Sequence, residues 1–143
     1  MTQTPDLQSP APSANAERPL GQALRRGFLG LCPNCGQGRI FQSFLKVRDR
    51  CPACGEELHH HRADDGPAYL TVLTVSHIGA PLLLWIFIAY RPSAISMLIG
   101  FSLGAILLSL ILLPRVKGAM IAWQWARRMH GFDQDAHSHR GAA

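Results

Sequence analysis

The chain has 143 residues, a net charge of +5 and 16% charged side chains, against about 25% in an ordinary soluble protein. The shortage comes from one region, because Arg91 is the sole Lys, Arg, Asp or Glu between Pro67 and Leu113. A soluble core of this size needs helices with a polar face, so the composition excludes a purely soluble fold and leaves room for one modest domain beside a membrane segment.

Residues 1–19 are rich in Pro, Ser, Ala, Gln and Thr and are expected to form a disordered tail. The first twenty residues hold no apolar run, so no cleavable secretory leader is expected. Residues 20–31 form a basic and apolar lead-in, with Arg25 and Arg26 beside Leu24, Phe28 and Leu29. This pattern fits a short helix on a membrane surface or a plain approach to the next segment.

Residues 32–62 carry all four cysteines, in the pentapeptides Cys32-Pro33-Asn34-Cys35-Gly36 and Cys51-Pro52-Ala53-Cys54-Gly55. Fifteen residues separate Cys35 from Cys51, the spacing of a four-cysteine metal site. Thiolates bind Zn2+ tetrahedrally, and a closed four-ligand site leaves no position for substrate, so the expected cofactor is structural zinc on Cys32, Cys35, Cys51 and Cys54. Iron, as in rubredoxin-like knuckles, is the weaker alternative. The segments around Ile40–Phe41 and Phe44–Arg48 suit short, partly exposed strands, with Gln42-Ser43 as a turn. The expectation is a small β zinc-ribbon-like module that metal ligation holds together, since so short a segment buries too little apolar surface alone.

His59-His60-His61 follows the second pair. Such a run is a compositional hint of metal binding, and with four sulfurs already present a solvent-facing basic run explains it equally simply. Asp64 and Asp65, before Gly66-Pro67, are expected to cap a helix; binding a cation or accepting a proton is the alternative reading. Adjacent carboxylates do not share a helix face, so they do not make a paired acid–base site.

Residues 63–113 are expected to form a two-helix transmembrane hairpin, with spans over about 68–90 and 94–113 and a tight turn at Arg91-Pro92-Ser93. His77 is the one ionisable side chain inside the first span. It invites a functional reading by default, or a structural one, either near the carbonyl freed by Pro81 or bonded to a serine of the second span. The Gly100–Gly104 small-xxx-small pattern suggests close helix packing, within the chain or in a homo-oligomer. Residues 114–132, after Pro114, are expected to form a cytoplasmic interfacial helix or an extension of the second span. Trp123 and Trp125 are placed at the headgroup boundary and Gln124 on a polar face. Residues 133–143 are expected to be a flexible tail.

Eight Lys or Arg residues precede the first span, one lies between the spans and five follow the second. The positive-inside rule then puts both termini in the cytoplasm and the Arg91 turn outside. That placement accounts for the basic charge before nucleic acid is invoked.

The runs Gly30–Gly36, Phe44–Gly55, Ala63–Ala68 and Leu113–Ala119 together resemble the bacterial family called domain of unknown function 983, over about Arg26 to Phe132. The resemblance implies a small multi-pass inner-membrane protein with a cytoplasmic metal ribbon, and it implies no enzyme activity. No phosphate loop, nucleophile elbow or metalloprotease helix is present in the sequence. The expected function is therefore a non-enzymatic adaptor or assembly factor. It would be anchored in the lipid bilayer and present Arg39, Lys46, Arg48 and Arg50 to a cytoplasmic or membrane protein partner. Nucleic-acid binding by the ribbon, or a metal-handling or proton-coupled role in an oligomer through His59, His60, His61, Asp64, Asp65 and His77, are the alternatives.

Overall fold

The computed structural model describes residues 18–62 and 65–132. Three helices follow in order: α1 (Leu20–Phe28), α2 (Gly66–Tyr90) and α3 (Ala94–Ala126). The tail expectations for residues 1–17 and 133–143, and any role for Asp64, fall outside the described residues.

Both α2 and α3 are long and apolar enough to cross a membrane. Leu84, Phe87, Ile88, Ile95, Leu98 and Leu107 are all at least half exposed, an apolar surface that a water-soluble monomer does not leave open. Three polar side chains of α2 return hydrogen bonds to their own helix. Thr71 Oγ1 donates to Pro67 O at 2.7 Å, Thr74 Oγ1 to Leu70 O at 2.8 Å and His77 Nδ1 to Leu73 O at 2.8 Å. His77 Nδ1 is thereby paired one turn back within α2 rather than with a serine of α3.

The turn forms where the sequence places it. Arg91 adopts the left-handed conformation (φ 43°) and its N–H bonds back to Phe87 O, which ends α2. Ser93 then caps α3, its Oγ accepting from Ser96 N at 3.3 Å. At the other end of α2, Pro67 sits in the first turn as expected, but Asp65 has near-helical dihedrals and its side chain makes no capping hydrogen bond.

Two expectations are corrected. First, Pro114 does not end the second helix: α3 continues without interruption to Ala126. Its 33 residues span ~50 Å, against the ~20 residues that a hydrocarbon core requires. The last turns therefore stand beyond the span, and residues 114–126 belong to α3 and not to a separate interfacial helix. Second, no strand forms among the described residues. The expected β module is a folded loop pinned by three single antiparallel bridges, Leu31 to Arg39, Phe41 to Val47 and Arg50 to Glu57.

That loop docks on the projecting end of α3. Cys32, Ile40, Cys51, Leu58 and Ile121 form one buried cluster, flanked by Phe41, Val47 and Met120. Ala23, Ala122, Trp125 and Phe132 form a second, which joins α1 to α3. The helices touch backbone to backbone: a Cβ on Gly27 would overlap Gly118 O and Ala122 Cβ, and a Cβ on Gly118 would overlap Gly27 O. Thus α1 is packed against α3 along its Ala23 and Gly27 side. By contrast, Gly100 and Gly104 have open space before them. They line an apolar groove of about 460 Å3 between α2 and α3, so the close approach expected there does not occur within the chain.

Candidate metal centre

The four sulfurs meet at the top of the loop. Cys32 and Cys54 Sγ are 3.7 Å apart, Cys35 and Cys51 Sγ are 3.8 Å apart, and all four lie within 4.8 Å of one another. A tetrahedral ion with ~2.3 Å bonds to sulfur sets its ligands about 3.8 Å apart. The residues present fit a single four-coordinate ion, and they are free thiols, not disulfides.

The local sequence explains the geometry. In each pentapeptide the glycine takes positive φ, 71° at Gly36 and 74° at Gly55, and donates its N–H back to the carbonyl of the first cysteine, at 2.9 Å in both. Cys32 N–H donates to Gly38 O at 2.7 Å, and Cys51 N–H to Glu56 O at 2.9 Å. Gly38 has a further reason to be glycine: an added Cβ would overlap Cys51 Sγ.

The thiols are not equivalent. Burial pushes the Cys32 and Cys54 thiols up. Burial acts upward on Cys35 too, but the N–H groups of Gly38 and Gln37 and the neighbouring thiols overcome it and lower the group to about 6. A thiolate is therefore available at Cys35 near neutral pH, while an incoming ion must displace protons from Cys32 and Cys54.

Side chains outside the cysteine pairs lock the centre to the helices. Glu56 Oε2 accepts from Asn34 Nδ2 at 2.9 Å, and Glu56 Oε1 accepts from Trp125 Nε1 at 2.7 Å. Arg26 of α1 donates to Pro33 O at 3.1 Å and Asn34 O at 2.7 Å. Gln124 clasps the Arg62 backbone, accepting from its N–H at 3.0 Å and donating to its carbonyl at 2.7 Å. Lys117 Nζ reaches Leu45 O at 2.9 Å. Trp125 and Gln124 are only 5% and 4% exposed, which corrects their placement at a headgroup boundary and on a polar face; Gln124 is clasped by the Arg62 backbone, and Trp125 packs with Ala23 of α1 and Phe132. Trp123 remains 40% exposed. The locks made by Lys117, Gln124 and Trp125 were not legible from sequence, because their partners lie 62 to 72 residues away. The one available signal was the small-xxx-small spacing of Gly118 and Ala122.

The four basic residues expected to face a partner divide. Arg39 and Lys46 are exposed. Arg50 donates to Glu57 Oε1 at 2.6 Å, and Arg48 is half-buried with its Nε turned inside. The histidines divide as well. His59 and His60 converge on Glu57, whereas His61 Nδ1 donates to Leu58 O at 2.8 Å.

A pair of long apolar helices joined by a tight turn, carrying a four-cysteine cluster at one end, defines a class: small membrane-hairpin proteins with a compact metal-binding head. Within that class the chain belongs to the family described as "Protein of unknown function (DUF983)", whose model matches residues 41–125, more than half of the chain. The matched segment includes Cys51, Cys54 and the helical hairpin, while Cys32, Cys35 and α1 precede it. No curated protein and no solved structure matches the chain.

Proposed function

We propose that this protein is a non-enzymatic, membrane-anchored docking module, an adaptor or assembly factor whose head is folded around one structural Zn2+ held by Cys32, Cys35, Cys51 and Cys54. The observation that carries this reading is the fusion of the sulfur cluster to the end of α3 through Ile121, Gln124 and Trp125. Such a closed, rigid head is suited to presenting a fixed surface rather than to turning over substrate. A metal bound there would supply folding free energy to a loop that has no strands of its own. Zinc is preferred to iron because the short gap between the pairs and their slight aromatic content do not suggest a separate redox domain.

The membrane is the bacterial inner membrane, with both termini cytoplasmic. The distribution of Lys and Arg supports this orientation, as does the position of the head at the end of the hairpin away from the Arg91 turn. The exposed Arg39 and Lys46 would face an acidic patch on a cytoplasmic or membrane protein. Crosslinking in native membranes tests the proposal. A partner captured by the wild-type chain is expected to be lost with Cys51→Ser and with Arg39→Ala/Lys46→Ala. The double variant is expected to keep its metal. Capture of the same partner by all three forms would contradict it.

A further inference from the structure

We propose that Glu57, His59 and His60 form a second metal site, distinct from the four-cysteine centre and suited to a borderline divalent transition ion such as Zn2+ or Co2+. The inference is independent of the docking role. It rests on four observations around one carboxylate.

The first is spacing. Glu57 Oε2 lies 3.3 Å from His60 Nε2 and 3.9 Å from His59 Nε2, and one ligand atom from each residue falls within 4.8 Å of the others. A tetrahedral ion with ~2.0–2.2 Å bonds to nitrogen and oxygen holds ligand pairs about 3.3–3.6 Å apart. Glu57 and His60 already stand at that distance. The His59 side chain is 47% exposed and has room to close the remainder.

The second is an ill-matched contact. His60 Nε2 is buried and faces Glu57 Oε2 at 3.3 Å without the alignment of a hydrogen bond. A buried ring nitrogen so poorly matched is costly, and an ion seated between the two groups accounts for it.

The third is orientation of the ligand from behind. Arg50 Nη2 holds Glu57 Oε1 at 2.6 Å, which turns Oε2 to the imidazoles. Outer partners of this kind fix a metal-binding carboxylate. The single bridge between Arg50 and Glu57, and the bond from Leu58 N–H to Asp49 O at 2.8 Å, hold the backbone beneath it.

The fourth is a fitted seat for His60. Its ring meets the edge of Phe132 with centroids 5.8 Å apart. Gly131 lies beside it with φ 102°, where an added Cβ would come to 2.9 Å from His60 Nδ1. The functional pattern is therefore Glu57-x-His59-His60; His61 is committed to the Leu58 carbonyl.

Three protein ligands leave a fourth position for water or an exchanging ligand. The second ion would thus be exchangeable where the four-sulfur ion is closed, and the site could accept or pass on a metal at the membrane face. The competing account is a protonated His60 that simply pairs with Glu57.

Co2+ titration of the full chain in detergent separates the two. The four-sulfur site gives sulfur-to-cobalt charge-transfer absorption, and a site of one carboxylate and two imidazoles gives only weak ligand-field bands. Two Co2+ per chain are expected, the weaker class without charge-transfer absorption. His59→Ala and Glu57→Gln should abolish that class, and Arg50→Ala should weaken it by about 10–100-fold. His59 and Arg50 are surface residues, so these variants remain informative if His60→Ala fails to fold. The charge-transfer band should persist in all of them. A single Co2+ per chain, a second class unmoved by His59→Ala and Glu57→Gln, or simultaneous loss of both signals would overturn the proposal.

Discussion

Glu56 gives one oxygen to Asn34 in the first cysteine pair and the other to the Trp125 indole on α3. One carboxylate thereby ties both halves of the metal loop to the membrane helix. Because the Trp125 bond is charge-assisted and enclosed, Trp125→Phe should destabilise the head by about 1.5–3 kcal/mol. Thermal unfolding in detergent, followed through the rate of thiol alkylation, would measure it. The thiols make a second prediction. Those of Cys32 and Cys54 are pushed up by burial and remain protonated at neutral pH without metal, whereas Cys35 is lowered to about 6. Binding an ion at pH 7 must therefore release at least two protons, so metal affinity should fall as pH falls. The expected slope is at least about a hundredfold per pH unit, read from competition with a chelator of known pH dependence.

Among the elements, the crossing of α1 and α3 is the most sensitive point, because Gly27 and Gly118 meet with no side chain between them. Gly118→Val should cost more than the ~1–3 kcal/mol of ordinary overpacking, since what must move is backbone, and it should free α1 to proteolysis. Gly100→Val, which faces open space, should leave the head intact; limited proteolysis of both variants makes the comparison. The contrast shows what was readable beforehand. The two Cys-x-x-Cys turns were legible because ligand spacing is local and the chemistry admits few alternatives. The hairpin was legible because lipid leaves so little freedom of composition. The strands were misjudged because β-type residues at Phe41 and Val47 make one bridge and then turn away. The end of α3 stayed open between a separate interfacial helix and an extension of the span because Pro114 and Arg115 also read as a stop; the extension is what forms. The helix runs on past them into turns packed against α1 and the cysteine loop, and the one local signal of that packing is the spacing of Gly118 and Ala122.

At the scale of the whole molecule, α3 is a single rod with two solvents. Its first part is bare of protein contacts apart from α2, and its last turns form one wall of the metal head. The head, the start of α2 and the end of α3 consequently share one end of the hairpin, and the Arg91 turn lies at the other. Reporter fusions should place Ala143 in the cytoplasm and an insertion at the Arg91 turn outside; the reverse result would overturn the orientation proposed from charge. The histidines taught a related lesson. The sequence shows a triplet, but the fold splits it and recruits Glu57 instead. The central claim remains the four-sulfur centre. X-ray absorption at the metal edge, on chain purified anaerobically in detergent and carrying one ion per chain, tests it most directly. Four sulfur neighbours at about 2.3 Å are expected; a shell of nitrogen and oxygen alone, or a folded chain that holds no metal, would contradict the account.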